Sequence, residues 1–352
     1  MTIRNTSRLA AIGLALCASL HVRLTVSAQP PQAQYQVTDL GTLGGNRSSA
    51  YGVNNRGQVV GVAETAGGEI HAFLWDSGAM ADLGTFGGRS SYAYRIDNNG
   101  TIVGRAQDTS GKFRAFVAKF GGALVDITPD TPTERLPYAA AHAINRFGQV
   151  VGYAAQPGNH MTTVNRNFKV DGAITEELGN FGGETSVVMA LSESGQTVGS
   201  YSLDAHADYA DRRAFIADGK TAVNLGTLGG RVSLPMDINN SGDVVGKSQT
   251  ESGEFHGFIY RSGSLTDIGV LAGGGQSFAY GINNRGDVVG AADSGGTLHA
   301  VLYEKGVLID LNSLIPASSG WVLTEARGIT ESGQIVGTGV LSGQERAFVL
   351  TR

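Results

Sequence analysis

The chain has 352 residues, 16% of them charged, and it contains 52 glycines but a single cysteine. Glycine is about twice as frequent as its usual ~7% share, and charged residues fall below the usual ~25%. This composition is typical of many tight turns between short strands. The length fits either two domains or one large closed β-architecture.

The first 28 residues predict a secretory signal peptide. Arg4 and Arg8 give a positive start, residues 9–20 form an apolar run, and residues 26–28, Val-Ser-Ala, form a small-residue cleavage site. A membrane anchor is the weaker alternative because the apolar run is shorter than the ~20 residues of a spanning helix. Lipidation of Cys17 is a further alternative, although Leu16 is an unfavourable residue just before a lipid-modified cysteine. We expect the mature protein to be secreted or periplasmic.

Cleavage after Ala28 would remove three arginines and no acidic residue, which changes the formal charge from −5 to −8. This negative charge argues against nucleic acid and anionic membranes as partners. Cleavage would also remove the only cysteine, so the mature chain would form neither a disulfide nor a thiolate metal site. We therefore expect a monomer without a membrane span, stabilised by packing alone.

One short segment recurs along the chain. It stands first at residues 50–61 and returns at residues 93–104, 141–152, 188–199, 235–246, 279–290 and 326–337. Its turn glycines are separated by 43 to 48 residues, and they are Gly57, Gly100, Gly148, Gly195, Gly242, Gly286 and Gly333. A period of ~40 to 50 residues is typical of a propeller blade.

Each repeat unit predicts four short strands. In the first unit, two strand-like segments flank the turn between Asn54 and Gly57, and residues 71–75 and 79–83 predict the third and fourth strands. The turn sequence Asn-Asn-Arg-Gly favours a hairpin because only glycine adopts a positive φ at little cost.

The two ends of the repeat region are offset by one strand. Residues 35–40 resemble a fourth strand before the first hairpin, whereas no fourth strand follows the last third strand at residues 346–350. A closed ring gains from this offset because the N-terminal strand completes the last sheet and removes two exposed edges.

The sequence therefore predicts an all-β fold, a seven-bladed β-propeller of four-stranded antiparallel blades. The ring would close by pairing the N-terminal strand with the last blade. Residues 29–34 would be a short linker, and residues 35–352 a single propeller domain. An open solenoid is the alternative architecture.

The units also resemble the HAF repeat, named for its His-Ala-Phe segment, which stands here at residues 71–73. Variants of this segment stand at residues 114–116, 213–215, 256–258, 299–301 and 346–348. The segment Asp-Leu-Gly-Thr-Leu-Gly-Gly at residues 39–45 and a similar one at residues 224–230 add to the likeness, which covers nearly all of residues 35–350. The third unit departs most, with Asn167-Phe168-Lys169 in place of the motif. The resemblance implies a bacterial extracellular protein, and it carries no activity that can be transferred.

The recurring histidines His71, His256 and His299 share one strand position with arginines of other units. Because a guanidinium does not replace an imidazole as a metal ligand, we expect a structural hydrogen-bonding or packing role. Residues 241–248 look like a phosphate-binding loop, but their glycine spacing is one residue too short and they fall in register with the repeat. The sequence contains no hydrolase elbow, zinc-helix or calcium-loop motif.

The candidate site lies where the units differ. The loops between second and third strands are long only in units three and four, at residues 154–166 and 203–212. In a propeller these loops share one face with the inter-blade linkers, which would gather side chains able to bind a cation or a polar ligand. They are His160, Asp204, His206, Asp208, Tyr209, Asp211, Asp130, Glu134 and Arg135. A solvated acidic loop is the alternative, and no cofactor is expected beyond a weakly bound divalent cation.

The predicted function is a secreted binding or interaction scaffold for an unidentified extracellular ligand, protein or glycan. It would use the loop face or the central channel. A carbohydrate-binding, lectin-like propeller is one alternative. Against several equivalent sugar sites, one innermost-strand position varies between units and holds Tyr51, His142, Met189 and Arg327. This variation argues for a single asymmetric site or for none.

A hydrolase or lyase acting at the channel mouth is the second alternative. Arg95, Asp237 and Arg327 stand on innermost strands, but their units are not all neighbours in the chain. Neither a base nor a nucleophile accompanies them, so no catalytic residue is predicted.

Overall fold

The computed structural model describes residues 34–129, 138–155, 165–204 and 211–352. The described residues belong to one compact unit. The predicted signal peptide therefore lies outside the described residues. Within the described ranges, no helix has both the length and the apolar character needed to cross a membrane.

Antiparallel β-structure dominates the described residues, which confirms the all-β prediction. The strands of the N-terminal half are β1 (Gln36–Asp39), β2 (Gly44–Val53), β3 (Val59–Thr65), β4 (Ile70–Asp76), β5 (Ala79–Asp82), β6 (Gly87–Ile96), β7 (Thr101–Asp108), β8 (Phe113–Lys119), β9 (Val125–Asp126), β10 (Tyr138–Ile144), β11 (Val150–Ala155), β12 (Asn165–Asp171) and β13 (Ile174–Glu177).

The remaining strands are β14 (Thr185–Leu191), β15 (Thr197–Ser202), β16 (Arg212–Asp218), β17 (Thr221–Gly226), β18 (Gly229–Ile238), β19 (Val244–Thr250), β20 (Phe255–Arg261), β21 (Ser264–Asp267), β22 (Ser277–Ile282), β23 (Val288–Ser294), β24 (Thr297–Glu304), β25 (Val307–Asp310), β26 (Trp321–Ile329), β27 (Ile335–Leu341) and β28 (Gln344–Thr351). Two short 3₁₀ turns, Leu311–Leu314 and Ala317–Ser319, lie between β25 and β26.

These strands form six sheets in the described part of the chain. Five sheets have four strands, and in four of them the strands follow chain order: β2–β5, β14–β17, β18–β21 and β22–β25. In the fifth, β26, β27 and β28 are followed by β1. The prediction that these units form four-stranded antiparallel sheets is thus confirmed.

The sixth sheet has eight strands. The prediction that units two and three form separate sheets is therefore wrong at one residue pair. The halves of this sheet, β6–β9 and β10–β13, are each antiparallel, and a single parallel pair, Phe113 with Tyr138, joins them. Strand β9 is also shorter than its equivalents and pairs only with Phe116 and Val117 of β8.

Asn54 shapes the first hairpin turn as the sequence predicts. Its Oδ1 accepts hydrogen bonds from the N–H groups of Arg56 and Gln58, at 3.0 and 3.1 Å. Gly57 completes the turn with φ 78°, a left-handed conformation that glycine adopts without strain. The Nδ2 of Asn54 also donates to the carbonyl oxygen of Asp97 in the next unit, at 2.9 Å. The residue that forms the turn therefore also links two sheets.

A β-bulge interrupts the first strand of every unit, which the sequence did not predict. In β2, Ala50 pairs with Gly61 and Gly52 pairs with Val60, so Tyr51 is the extra residue. The other bulges lie at the same repeat position, between Ala93 and Arg95, Ala141 and Ala143, Val188 and Ala190, Pro235 and Asp237, Ala279 and Gly281, and Ala326 and Gly328. A bulge bends its strand and re-aims a side chain. All seven extra residues are thus presented in the same way.

The hydrophobic core is a series of layers, each lying between two neighbouring repeat units. One layer joins Ala50 and Phe73 of the first unit to Val336 and Ala347 of the last. Phe73 is fully buried, as are its equivalents Phe116, Phe168, Phe215, Phe258 and Phe348. A Cβ at Gly61 would lie 3.0 Å from the Phe73 ring. The glycine that ends the repeat segment is therefore required by close packing.

A buried serine links neighbouring sheets. Ser91 accepts a hydrogen bond from the N–H of Ala72 at 2.8 Å and donates to the carbonyl oxygen of Gly84 at 2.6 Å. Ser48 makes the same two contacts, with Ala347 at 2.9 Å and Gly41 at 2.6 Å. The contact between the first and the last unit therefore repeats the contact between the first two.

Two further contacts join the ends of the repeat region. Strand β1 pairs with β28 from Gln36 with Thr351 to Asp39 with Phe348, as predicted. At the hairpin turns, the N–H of Glu331 donates to Asn55 Oδ1 at 3.0 Å.

The three recurring histidines have the structural role expected of them. The Nδ1 atoms of His71, His256 and His299 each lie 2.7 to 2.8 Å from a carboxylate oxygen on the adjacent fourth strand. The partners are Asp82, Asp267 and Asp310. These pairs tie the third strand to the fourth.

We predict that Ser48→Ala lowers the free energy of unfolding by about 1–3 kcal/mol, because it leaves a buried N–H of Ala347 without an acceptor. Ser91→Ala is the matched control, since its serine makes the same contacts between units one and two. Urea unfolding of residues 29–352, monitored by circular dichroism, measures both. A silent Ser48→Ala beside a destabilising Ser91→Ala would contradict the contact between the chain ends.

Candidate functional site

The extra residues of the seven bulges line one cavity of about 310 Å³, here called the central cavity. They are Tyr51, Tyr94, His142, Met189, Met236, Tyr280 and Arg327. Tyr92, Arg95 and Arg105 complete the lining. Because all units place their bulge at the same point of the repeat, they deliver these side chains to a common place.

Aromatic rings stack along one side of the central cavity. The ring centroids of Tyr51 and Tyr94 are 6.3 Å apart, and those of Tyr94 and His142 are 5.0 Å apart with an interplanar angle of 5°. His142 stacks in turn on Tyr153 at 5.2 Å. Since the rings cover one another's faces, their polar edges are what remains for a ligand.

Arg105 is held within an aromatic cage. Its guanidinium carbon lies 4.4 Å from the ring centroid of Tyr92, 4.5 Å from that of Phe113 and 5.2 Å from that of Tyr138. The guanidinium also donates a hydrogen bond to the Tyr138 hydroxyl. Its Nε is buried without a hydrogen-bond partner, and no carboxylate in the described residues pairs with this cation.

The other two arginines of the central cavity have acidic partners. A nitrogen of Arg95 lies 3.6 Å from a carboxylate oxygen of Asp237, and one of Arg327 lies 2.6 Å from Glu325. Arg95 and Asp237 stand on units two and five, so their separation in the chain did not prevent contact. Burial raises the pKa of Asp237, and the Arg95 charge opposes that rise.

A second cavity, of about 190 Å³, lies on the hairpin-turn side of these arginines. Arg95 and Arg327 line both cavities, which places them at the boundary. Asn240, Asn284 and Glu331 contribute polar groups from the turns. The two ion pairs therefore separate an aromatic space from a polar one.

Burial favours the neutral forms of three phenols and of the imidazole in the central cavity. Burial raises the pKa of the Tyr51 and Tyr94 phenols, and it raises that of Tyr280 to about 12. Burial, with the nearby Arg105 and Arg95 charges, lowers the pKa of His142 to about 3. At neutral pH the phenols are hydrogen-bond donors, the imidazole is uncharged, and the positive charge comes from arginine alone.

The predicted loop site is described only at two of its residues. Asp211 forms an ion pair with Arg213 at 3.1 Å, and the backbone carbonyl of Asp204 accepts a hydrogen bond from Ser202 Oγ at 2.9 Å. The other predicted residues lie outside the described ranges, and they are His160, His206, Asp208, Tyr209, Asp130, Glu134 and Arg135. Among the residues that are described, no group of three or more His, Cys, Asp or Glu side chains could hold a metal ion. The loop site stays a prediction.

Sequence reasoning identified the varying innermost position but missed the site that it forms. The signal was available, because Tyr51 and its equivalents directly follow the small residue that recurs in the repeat. The contributions of Tyr92 and Arg105 had no such signal, since Tyr92 stands at another position of the first strand and Arg105 stands on the second strand.

We predict that His142→Phe removes a pH dependence of stability. The folded protein holds His142 with a lowered pKa of about 3, so its contribution is fully present above the unfolded value near 6.5 and is lost as pH falls from there toward 3. The free energy of unfolding should fall in this window by at most about 1.4 kcal/mol per pH unit from this group.

The measurement is urea unfolding between pH 7 and pH 4 for the original chain and for His142→Phe, which keeps a ring for stacking. Met189→Leu at the equivalent repeat position is the control and should retain the original slope. An unchanged slope in His142→Phe would show that this imidazole is not buried in the neutral form.

The described fold is similar to solved β-propeller structures. A puromycin-hydrolysing peptidase from Mycobacterium tuberculosis matches 88% of this chain at 13% identity and a TM-score of 0.56. This chain covers 52% of that peptidase, about half its length. The β-propeller domain of the Trilobed protease from Pyrococcus furiosus matches 86% of this chain, with 93% of the domain covered, at 10% identity and a TM-score of 0.56.

Virginiamycin B lyase from Staphylococcus aureus is a third similar structure. It matches 91% of this chain and is covered completely, 100%, at 11% identity and a TM-score of 0.51. No family model matches the sequence, and no curated protein matches it. At these identities the solved structures show the β-propeller fold of this chain and nothing finer.

Proposed function

We propose that the chain is a closed propeller of seven four-stranded blades. Seven repeat units each contribute three consecutive strands and one outer strand, and β1 supplies the outer strand of the last unit. Two observations support closure: Ser48 contacts Ala347 as Ser91 contacts Ala72, and an apolar layer lies between the first and last units. The eight-stranded sheet is compatible with seven blades because one residue pair alone joins its halves.

We further propose that this propeller is a secreted binding scaffold whose ligand occupies the central cavity. The observation that carries this proposal is the contrast between a uniform backbone and varied side chains. Every unit presents one bulge residue, yet these residues are tyrosine, histidine, methionine or arginine. A structural requirement common to all blades would favour similar side chains at this position. Different side chains around one cavity favour a single asymmetric ligand.

A binding role fits the chemistry of the lining better than catalysis does. The ten lining residues include no serine, cysteine, lysine, aspartate or glutamate, which are the usual nucleophiles and bases. The lowered pKa of His142 makes its imidazole a weak base. A lectin-like propeller with repeated sugar sites fits less well, because equivalent sites would need the same residues in several units.

We predict that Met236→Trp abolishes binding to the central cavity, because the larger ring fills space next to the aromatic wall. A small-molecule library is screened by thermal shift against residues 29–352, and ligands are kept that raise the melting temperature. These ligands should not stabilise Met236→Trp. Val223→Trp, at an outer-strand residue that is 53% exposed, is the control and should respond like the original chain.

The circular dichroism spectrum of Met236→Trp must match that of the original chain before the comparison is made. Ligands that stabilise Met236→Trp as strongly as the original chain would place the binding site elsewhere. If chromatography shows that the protein converts a stabilising compound into a product, the result would instead favour an enzymatic function.

A further inference from the structure

The central cavity is rich in hydrogen-bond donors and poor in acceptors. Its lining contains three guanidinium groups and four phenols, and it contains no carboxylate. The hydroxyl groups of Tyr51, Tyr94 and Tyr280 make no hydrogen bond with the described residues, and burial keeps these phenols protonated. A ligand that fits this lining must supply the acceptors.

The charge of the central cavity is also uncompensated at one point. Arg95 and Arg327 are each paired with a carboxylate, whereas Arg105 has aromatic neighbours and the Tyr138 hydroxyl. Aromatic faces attract a cation but leave its net charge in place. A partly buried cation without a counter-ion is costly, and an anion entering the cavity would relieve that cost.

The Arg105 guanidinium is also pre-organised for an anion. Tyr92 and Phe113 flank its guanidinium carbon, with their ring centroids at 4.4 and 4.5 Å. Its Nε is buried and has no partner. A guanidinium presents its N–H groups at its edges in a fork that matches a carboxylate, and a fixed fork loses little entropy when it binds.

The size and walls of the cavity restrict the ligand further. A volume of about 310 Å³ lies at the lower end of the ~300–1,000 Å³ range of small-molecule sites. Met189 and Met236 give the lining an adaptable apolar part. One unpaired cation matches a monoanion better than a dianion such as phosphate.

We infer that the central cavity binds a small organic monoanion, a carboxylate carried on a sugar or aromatic ring, with Arg105 as its counter-charge. This inference rests on the proposed function of the central cavity. The phenol hydroxyls donate to the remaining oxygens of the ligand, and the two methionines contact its apolar part. The negative net charge of the chain does not set the sign inside the cavity, where the lining carries three arginines and no carboxylate.

The test uses two pairs of probes that differ mainly in charge, glucuronate with glucose and benzoate with benzamide. Calorimetry on residues 29–352 should show one acid binding at least about tenfold more tightly than its neutral counterpart, as a charge-assisted hydrogen bond requires. The pair that shows this difference identifies the ring. The affinity of that acid should fall as salt concentration rises, since the interaction is electrostatic.

Arg105→Met should weaken binding of the preferred acid by about tenfold or more, and Arg105→Lys should retain part of the affinity. Lys247→Met is the matched control. Lys247 directly follows the repeat glycine as Arg105 does, and its Nζ lies 5.1 Å from the Phe255 ring, but it does not line the central cavity. Its loss removes the same charge and should leave binding unchanged.

The outcomes separate this inference from the function on which it rests. Neutral probes that bind as tightly as acids and lose binding in Met236→Trp would overturn the anion and keep the cavity as the site. An equal loss of affinity in Arg105→Met and Lys247→Met would show that the net charge of the protein, and not Arg105 in particular, controls binding. That result would also overturn the inference. No binding by any of the four probes overturns it as well, and the library screen then decides the proposed function alone. If Arg105→Met fails to fold, the salt dependence and the affinity of Arg105→Lys test the inference. An affinity that does not change with salt or with Arg105→Lys would overturn it.

Discussion

Buried phenylalanine rings fill the apolar layers between neighbouring repeat units, and the rest of the structure depends on this packing. Within its own sheet, Phe73 lies on Gly61 and Phe116 lies on Gly104, where a Cβ would approach the ring to 2.9 Å. Neighbouring sheets add alanines with no exposed surface, such as Ala50 and Ala93. Because the innermost strands carry such small residues, the sheets converge closely enough for their bulge residues to reach one cavity.

The bulge converts this uniform packing into a site. Each extra residue is released from the strand ladder, so its side chain can vary without disturbing the buried small residue before it, such as Ala50 or Ala93. Core and site are thereby divided within a few residues of the same strand. Ala141 is buried in the layer between units two and three, and His142 beside it stacks on Tyr94 and Tyr153.

Electrostatics give the two ends of the cavity system different characters. Arg95 with Asp237 and Arg327 with Glu325 satisfy each other at the boundary, where burial would otherwise make either charge costly. Arg105 lies among aromatic rings, and no carboxylate of the described residues neutralises its charge. Positive charge inside a chain of negative net charge is therefore a local property of side-chain placement, which net charge does not reveal.

The sequence by itself determined the strand-turn-strand pattern, the four strands of each unit and the pairing of β1 with β28. The first two features depend on turn residues such as Asn54 and Gly57 and on alternation within a few residues, both of which are local. The pairing of β1 with β28 was predictable because the two ends of the repeat region are offset by one strand. Only the tertiary structure decided the bulges, the joining of β8 to β10, the Arg95–Asp237 contact and the cage around Arg105. The sequence did not reveal these features because side chains from distant repeats meet only after packing has fixed the distance between the sheets.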